Sequence, residues 1–247
     1  MFPPVSESQG LRLSPAQISV TRERPARAIH AQAQDGKTYV LRPTLMSDVD
    51  AILRAFDASR AELCRFMPWA HQPQSTLQQL ERLRECEANY FSGRELSMAL
   101  FERNAEQETL VTMIGLHPRV PLNPSGLEIG YWTPTPFAGR GLASYASKLI
   151  VIYAFDKLGA DRVQAICDEA NVASRRVMEK VGMRQEGLLH NITQKPSEGL
   201  LQQGFIHTGR NPMFALTPSE FQVLPWVPEL RPTLRYFNIV GEAVSAV

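Results

Sequence analysis

The sequence predicts an α/β fold of the mixed α+β kind, in which a mixed, largely antiparallel central sheet carries helices on both faces. Three observations predict it. Strand-like runs at Ser97–Glu102, Thr109–His117 and Leu127–Trp132 follow one another with only turns between them, as in a meander. Beyond residue 141 helical and strand patterns alternate, which demands crossovers. Helical patterns stand on both sides of the meander, so neither face of the sheet is left bare.

The elements follow in order. Residues 1–37 mix Pro, Ser, Gln and Arg with little periodicity, and an irregular N-terminal arm is expected there. Its apolar side chains Leu11, Leu13, Ile18 and Val20 have a domain to pack on. Thr38–Arg42 reads as a strand that Pro43 ends. Ser47 is the expected N-cap of a first helix, with Asp48 and Asp50 favoured by the positive end of its dipole. Ser75 and Gln78 have capping-box spacing, Leu77, Leu80, Leu83 and Cys86 line one side, and Gly93 closes this second helix. Asn104–Glu108 is the turn between the first two meander strands, and Pro118–Gly126 the loop before the third.

Gly139-Arg140-Gly141 opens a long helix through Leu142, Leu149, Ile152 and Phe155, which Gly159 stops. Arg162–Cys167 is a strand, Asn171–Val181 a short helix and Gln185–Leu189 a strand. Thr193–Gly204 reads as an inserted loop and Pro212–Leu216 as the last strand. Residues 222–247 hold Pro225, Pro228 and Pro232 and read as an extended C-terminal tail, so the domain proper is residues 38–221.

Composition narrows the function classes. A chain of 247 residues, 44% hydrophobic and 21% charged, suffices for one soluble core. A net charge of +1 gives no footprint for nucleic acid or an acidic membrane, and no apolar run is long enough to span a bilayer. Cys64, Cys86 and Cys167 show no pairing pattern, which fits a reducing compartment and a cytoplasmic protein; buried thiols are the plain reading and a catalytic thiol the minor one. His30, His71, His117, His190 and His207 have no ligand spacing, so no metal is expected.

The most informative stretch is Pro136-Phe137-Ala138-Gly139-Arg140-Gly141-Leu142-Ala143, between a strand and the long helix. Glycines let backbone N–H groups converge on an anion, and the helix start adds the positive end of a dipole. That suits a pyrophosphate, with Arg140 a further charge. The stretch lacks the GxxxxGK[ST] of a P-loop and the GxGxxG of a dinucleotide site.

An ordered set of motifs surrounds this turn. Glu128-Ile129-Gly130-Tyr131-Trp132 precedes it, while Asp168-Glu169-Ala170-Asn171-Val172-Ala173-Ser174, Val177-Met178-Glu179-Lys180-Val181-Gly182-Met183 and Glu186-Gly187 follow it. Upstream stand Leu41-Arg42-Pro43, Pro68-Trp69 and Ile114-Gly115-Leu116. Together they resemble the GNAT superfamily of N-acetyltransferases, and within it the ribosomal-protein-alanine N-acetyltransferase group, over residues 38–221. The resemblance implies a sheet splayed in the middle, with acetyl-CoA as co-substrate and its pantetheine arm in the gap after Trp132. Backbone amides of Gly139, Arg140, Gly141, Leu142 and Ala143 would hold the pyrophosphate, and Asn171 the pantetheine. Two positions depart from the family. Ala138 stands where Gln or Arg is usual, and Met178 where many members carry a tyrosine as general acid; in the alanine-acetylating group the serine at Ser174 is implicated instead.

Each assignment has a plainer counterpart. Glu128 is the expected base toward the acceptor amine, or a carboxylate paired with an arginine. Ser174 assists the departing thiolate, or only opens a helix. Asn171 is an N-cap with or without a pantetheine contact. Trp69 is a wall of the acceptor pocket or a core anchor; Trp132 is a core aromatic with an edge toward the cofactor. The expected reaction is direct acetyl transfer to an amine in a ternary complex. An α-amine titrates near ~8 and a lysine near ~10.4, which favours an N-terminal acceptor on a peptide or protein. A small-molecule amine, or a silent acyl-CoA-binding module suggested by Ala138 and Met178, are the alternatives. The sequence leaves a homodimer open.

Overall fold

The computed structural model describes residues 26–33, 35–105, 107–120, 122–238 and 240–244. The first 25 residues of the expected arm, with the side chains expected to pack, lie outside these. In chain order the elements are β1 (Ala28–Gln32), β2 (Thr38–Pro43), α1 (Val49–Asp57), α2 (Arg60–Leu63), α3 (Thr76–Phe91), β3 (Leu96–Arg103), β4 (Glu108–His117), β5 (Gly126–Trp132), α4 (Leu142–Asp156), β6 (Arg162–Ile166), α5 (Val172–Val181), β7 (Arg184–His190), α6 (Glu198–Gln202), β8 (Arg210–Leu216), α7 (Pro218–Gln222), α8 (Trp226–Leu230), β9 (Arg235–Phe237) and β10 (Ala243–Val244).

Among the described residues the strands form one sheet, ordered β10-β9-β1-β2-β3-β4-β5-β6-β8-β7. Its neighbours are antiparallel except β5 and β6. The helices sort to two faces, because alternate residues of a strand point opposite ways. Leu127 and Ile129 belong to the main core beneath α4, whereas Ala99, Phe101 and Leu110 pack with Ile52 of α1 and Leu83 of α3. A fold of mixed α and β with helices on both faces is what the periodicities predict.

Three local expectations are corrected. Asp48, not Ser47, is the N-cap position of α1, and a tight turn at Met46–Asp48 precedes it. Asp48 is held by Arg42, whose guanidinium lies 2.8 Å away and also bonds Glu108 at 2.9 Å. On α3 the Ser75–Gln78 capping box forms, but Gln79, Leu83 and Tyr90 are the buried residues and Leu77 is exposed. The inserted stretch carries the short helix α6 and docks by the Ile206 N–H donating to the Arg65 carbonyl at 2.7 Å.

The arm and tail are corrected more deeply. Residues 28–32 form β1, and β9, at residues 235–237, pairs with it, so two segments expected to be irregular extend the sheet. Tyr153 of α4 accepts a bond from the Ala26 N–H at 3.0 Å, and Tyr90 of α3 donates to the Ala26 carbonyl. The cause lies in α4, which buries every residue from Leu149 to Ala154. A helix apolar all round must be covered on its outer face as well. Phe221, Trp226 and Tyr236 supply that cover: Phe221 lies tilted against Phe155 at 4.8 Å, Tyr236 stacks on Tyr153 at 6.2 Å, and the Trp226 indole donates to the Val181 carbonyl at 3.0 Å.

Candidate active site

Register builds a gap in the sheet. β5 and β6 share three rungs, Gly126↔Arg162, Leu127↔Val163 and Glu128↔Gln164. Beyond them β5 continues along β4 as far as Trp132, and β6 along β8 as far as Ile166, with no rung between the two. The sheet therefore parts at Glu128 and Gln164, whose side chains join at 3.1 Å, the Gln164 amide donating to the carboxylate.

The glycine turn opens α4 directly after β5. Gly139 and Gly141 have φ of 76° and 79°, the left-handed region where only glycine is unstrained. A Cβ on either would meet nothing within 4 Å, so the space above the turn is open. No side chain caps α4 and no acidic residue sits in its first turn. The N–H groups of that turn are thus left for an outside acceptor, and the dipole favours an anion. Arg140 and Ala138 are exposed beside it, the Arg140 guanidinium 5.3 Å above the Phe137 ring; Leu142 is buried and Ala143 half-buried.

α5 borders the other side of the gap. Asn171 is its N-cap, its Oδ1 accepting from the Ser174 N–H at 3.1 Å. Tyr131, on the parted half of β5, reaches across: its hydroxyl donates to the Ser174 carbonyl and lies 3.0 Å from Ser174 Oγ. Burial holds the proton on Tyr131 well above the usual phenol range. Burial also pushes the Cys167 thiol up to about 11, which removes it as a nucleophile near neutral pH. Met178 is buried in the core, away from any proton transfer.

On the opposite face, between α1, α3 and the strands, lies a cavity of about 360 Å3. Trp69 and Trp132 both line it, their rings 6.4 Å apart, with Phe56 stacked on Trp69 at 5.9 Å. Trp132, expected to have an edge toward the cofactor, shares the wall of this cavity with Trp69. Arg82 lies over the Trp69 ring at 5.6 Å. Glu95 and His117 line the same cavity, with Nδ1 of the imidazole 2.9 Å from Glu95 Oε1 and Arg119 3.7 Å from Glu95 Oε2. The His117 contact, aided by Arg119 and Arg82, holds the Glu95 carboxyl below its ordinary range against the effect of burial.

Ser174, Asn171 and the glycine turn are thus brought to the gap, and Glu128 to its apex; Glu128 does not line the cavity. Sequence reasoning missed Glu95, His117 and the reach of Tyr131. No motif carries them; only the pairing of β3 with β4 and β4 with β5 brings positions 95, 117 and 128 into line. Among the described residues no group of three or more His, Cys, Asp or Glu is arranged to hold a metal, and no helix is long and apolar enough to cross a membrane.

A family model described as an acetyltransferase (GNAT) domain matches residues 39–184, more than half of the chain. The chain belongs to the GNAT acetyltransferase family. This GNAT domain is similar to a Bacillus subtilis (strain 168) protein named as a ribosomal N-acetyltransferase, YdaF, being 34% identical over 99 residues, 40% of this chain and 50% of that one. It therefore spans about half the length of that relative. A protein of the same organism named as an N-acetyltransferase, YjcK, is 27% identical over 62% of this chain and 84% of its own. Among solved structures, Mycobacterium smegmatis RimJ in complex with a CoA disulfide superposes with a TM-score of 0.64 at 20% identity, covering 85% of this chain and 95% of its own. RimL, a ribosomal L7/L12 α-N-protein acetyltransferase in complex with coenzyme A, gives 0.63 at 20%, covering 76% and 97%. These likenesses show the GNAT fold.

Proposed function

We propose that this GNAT domain transfers an acetyl group from acetyl-CoA to a primary amine, with the N-terminal α-amine of a cytoplasmic protein or peptide as the favoured acceptor. The observation that carries the reading is the parted sheet, with an uncapped glycine turn at its edge and a titratable cavity on one face. The CoA-bound state of RimL and RimJ supports the choice of co-substrate. In this reading the amides of Gly139 to Ala143 hold the pyrophosphate, Arg140 adds charge, and Asn171 keeps its cap while its amide meets the pantetheine. Trp69 and Trp132 wall the acceptor pocket.

The amine nitrogen attacks the thioester carbonyl, the C–N bond forms, and the tetrahedral oxyanion collapses with loss of the CoA thiolate. The nitrogen sheds its proton to the polar groups at the apex, to which Glu128 contributes negative charge. The thiolate is a tolerable leaving group, since an ordinary thiol titrates near ~8.5, and Ser174 offers it a hydrogen bond. An α-amine, near ~8, asks less of a base than a lysine near ~10.4.

The test is a thiol-release screen with acetyl-CoA against peptides of varied N-termini, lysine peptides and small amines. Release that depends on a peptide N-terminus is the expected result. Release with small amines alone would move the acceptor to a small molecule, and acetyl-CoA binding without release would make the domain a silent binding module.

A further inference from the structure

Four polar side chains stand in one row across four neighbouring strands. Glu128 pairs with Gln164 on β6 and with His117 on β4. Glu95 lies one residue before the Leu96↔Leu116 rung of β3 and β4, and its carboxylate reaches His117 Nδ1 at 2.9 Å. Directly paired residues share a face, so this row lies on the cavity side, at the level where the sheet parts. The imidazole rests on a floor made by two glycines. Gly115 and Gly130 pair across β4 and β5, and a Cβ on them would come within 3.1 and 3.4 Å of His117 Nε2. One ring nitrogen is thus engaged by a carboxylate, while the other side of the ring lies over the glycine floor on the cavity side.

We propose that His117 is the catalytic base, its Nε2 taking the proton from the acceptor ammonium, with Glu95 as the positioning residue that engages Nδ1. The inference rests on the acetyl-transfer reading above and names the group that receives the proton. With Nδ1 facing the Glu95 carboxylate at 2.9 Å, the ring presents Nε2 as the proton acceptor. The nitrogen–hydrogen bond of the acceptor breaks, its electron pair stays on nitrogen for attack on the thioester, and the proton rests on Nε2 until solvent removes it. The charged groups around the ring are Glu95 ahead of β3, Arg119 beyond β4, Glu128 on β5 and Arg82 on α3. Glu128, joined to Gln164, acts through its charge on the ring rather than by direct proton transfer.

The experiment is kcat/KM against pH, with acetyl-CoA and the best acceptor of the screen, for wild type, His117→Gln, Glu95→Gln and Glu128→Gln. Melting temperature and acetyl-CoA affinity serve as controls for folding. His117→Gln should lower kcat/KM about 10²-fold at neutral pH, the range of general-base loss. It should approach wild type at high pH, where an α-amine near ~8 has already lost its proton. Glu128→Gln should lose about tenfold less than His117→Gln at neutral pH. Glu95→Gln should lower kcat about tenfold with the KM for the acceptor little changed, because the ring loses the group that holds it in place. A His117→Gln variant within twofold of wild type, or one reduced equally at every pH, would overturn the proposal. So would the larger loss at Glu128. Should His117→Gln not fold, Glu95→Gln decides: a lowered kcat at unchanged KM supports the proposal and a wild-type kcat overturns it. Wild type that releases no thiol with any amine would instead refute the underlying acetyl-transfer reading.

Discussion

Ser174 lies within hydrogen-bond reach of Tyr131 across the gap, and its backbone N–H is bonded by Asn171. A serine hydroxyl is a poor acid, so the part we propose for it in thiolate departure is that of a donor. Ser174→Ala should therefore lower kcat about tenfold, at the small end of acid–base effects, with little change in acetyl-CoA affinity. Normal kcat with weakened binding would make it a cofactor contact, and a wholly normal variant a helix-start residue. The helix start was legible because Asn171 and Ser174 have N-cap spacing, and the structure forms that cap. The contact from Tyr131 was not, since it depends on where β5 leaves β6. Glu95 and His117 were hidden for the same reason: they stand 22 positions apart at the ends of two strands, and only the register makes them neighbours.

At the scale of elements, strands and helices with strong periodicity or a cap were readable, as in β3, β4, β5, α4 and α5. The segments after residue 221 were not, because prolines and short runs hide their burial. The signal was in α4 instead: six consecutive buried residues from Leu149 to Ala154 need partners on every side. Leu234, in the stretch expected to be an extended tail, is wholly buried. Leu234→Ala should destabilise the protein by about 2–5 kcal/mol, the usual cost of emptying such a site. Chemical denaturation measures it, and a change under about 0.5 kcal/mol, typical of a surface position, would mean that the segment is not part of the core.

At the scale of the molecule, one sheet separates two tasks. The rung at Glu128 and Gln164 ends the pairing of β5 with β6, and that divergence opens the sheet. The glycine turn lies at one edge of this opening and the cavity of Trp69, Trp132 and His117 on one face. In the proposed reading, cofactor and acceptor meet where the strands diverge. Binding at the turn underlies the whole account, and Gly141 is where it is most exposed to test. A calorimetric titration of acetyl-CoA into wild type and Gly141→Glu, with circular dichroism to confirm the fold, measures it directly. A carboxylate placed where the pyrophosphate approaches should cut affinity at least tenfold, about 1.4 kcal/mol; equal affinity in a folded variant would contradict the account.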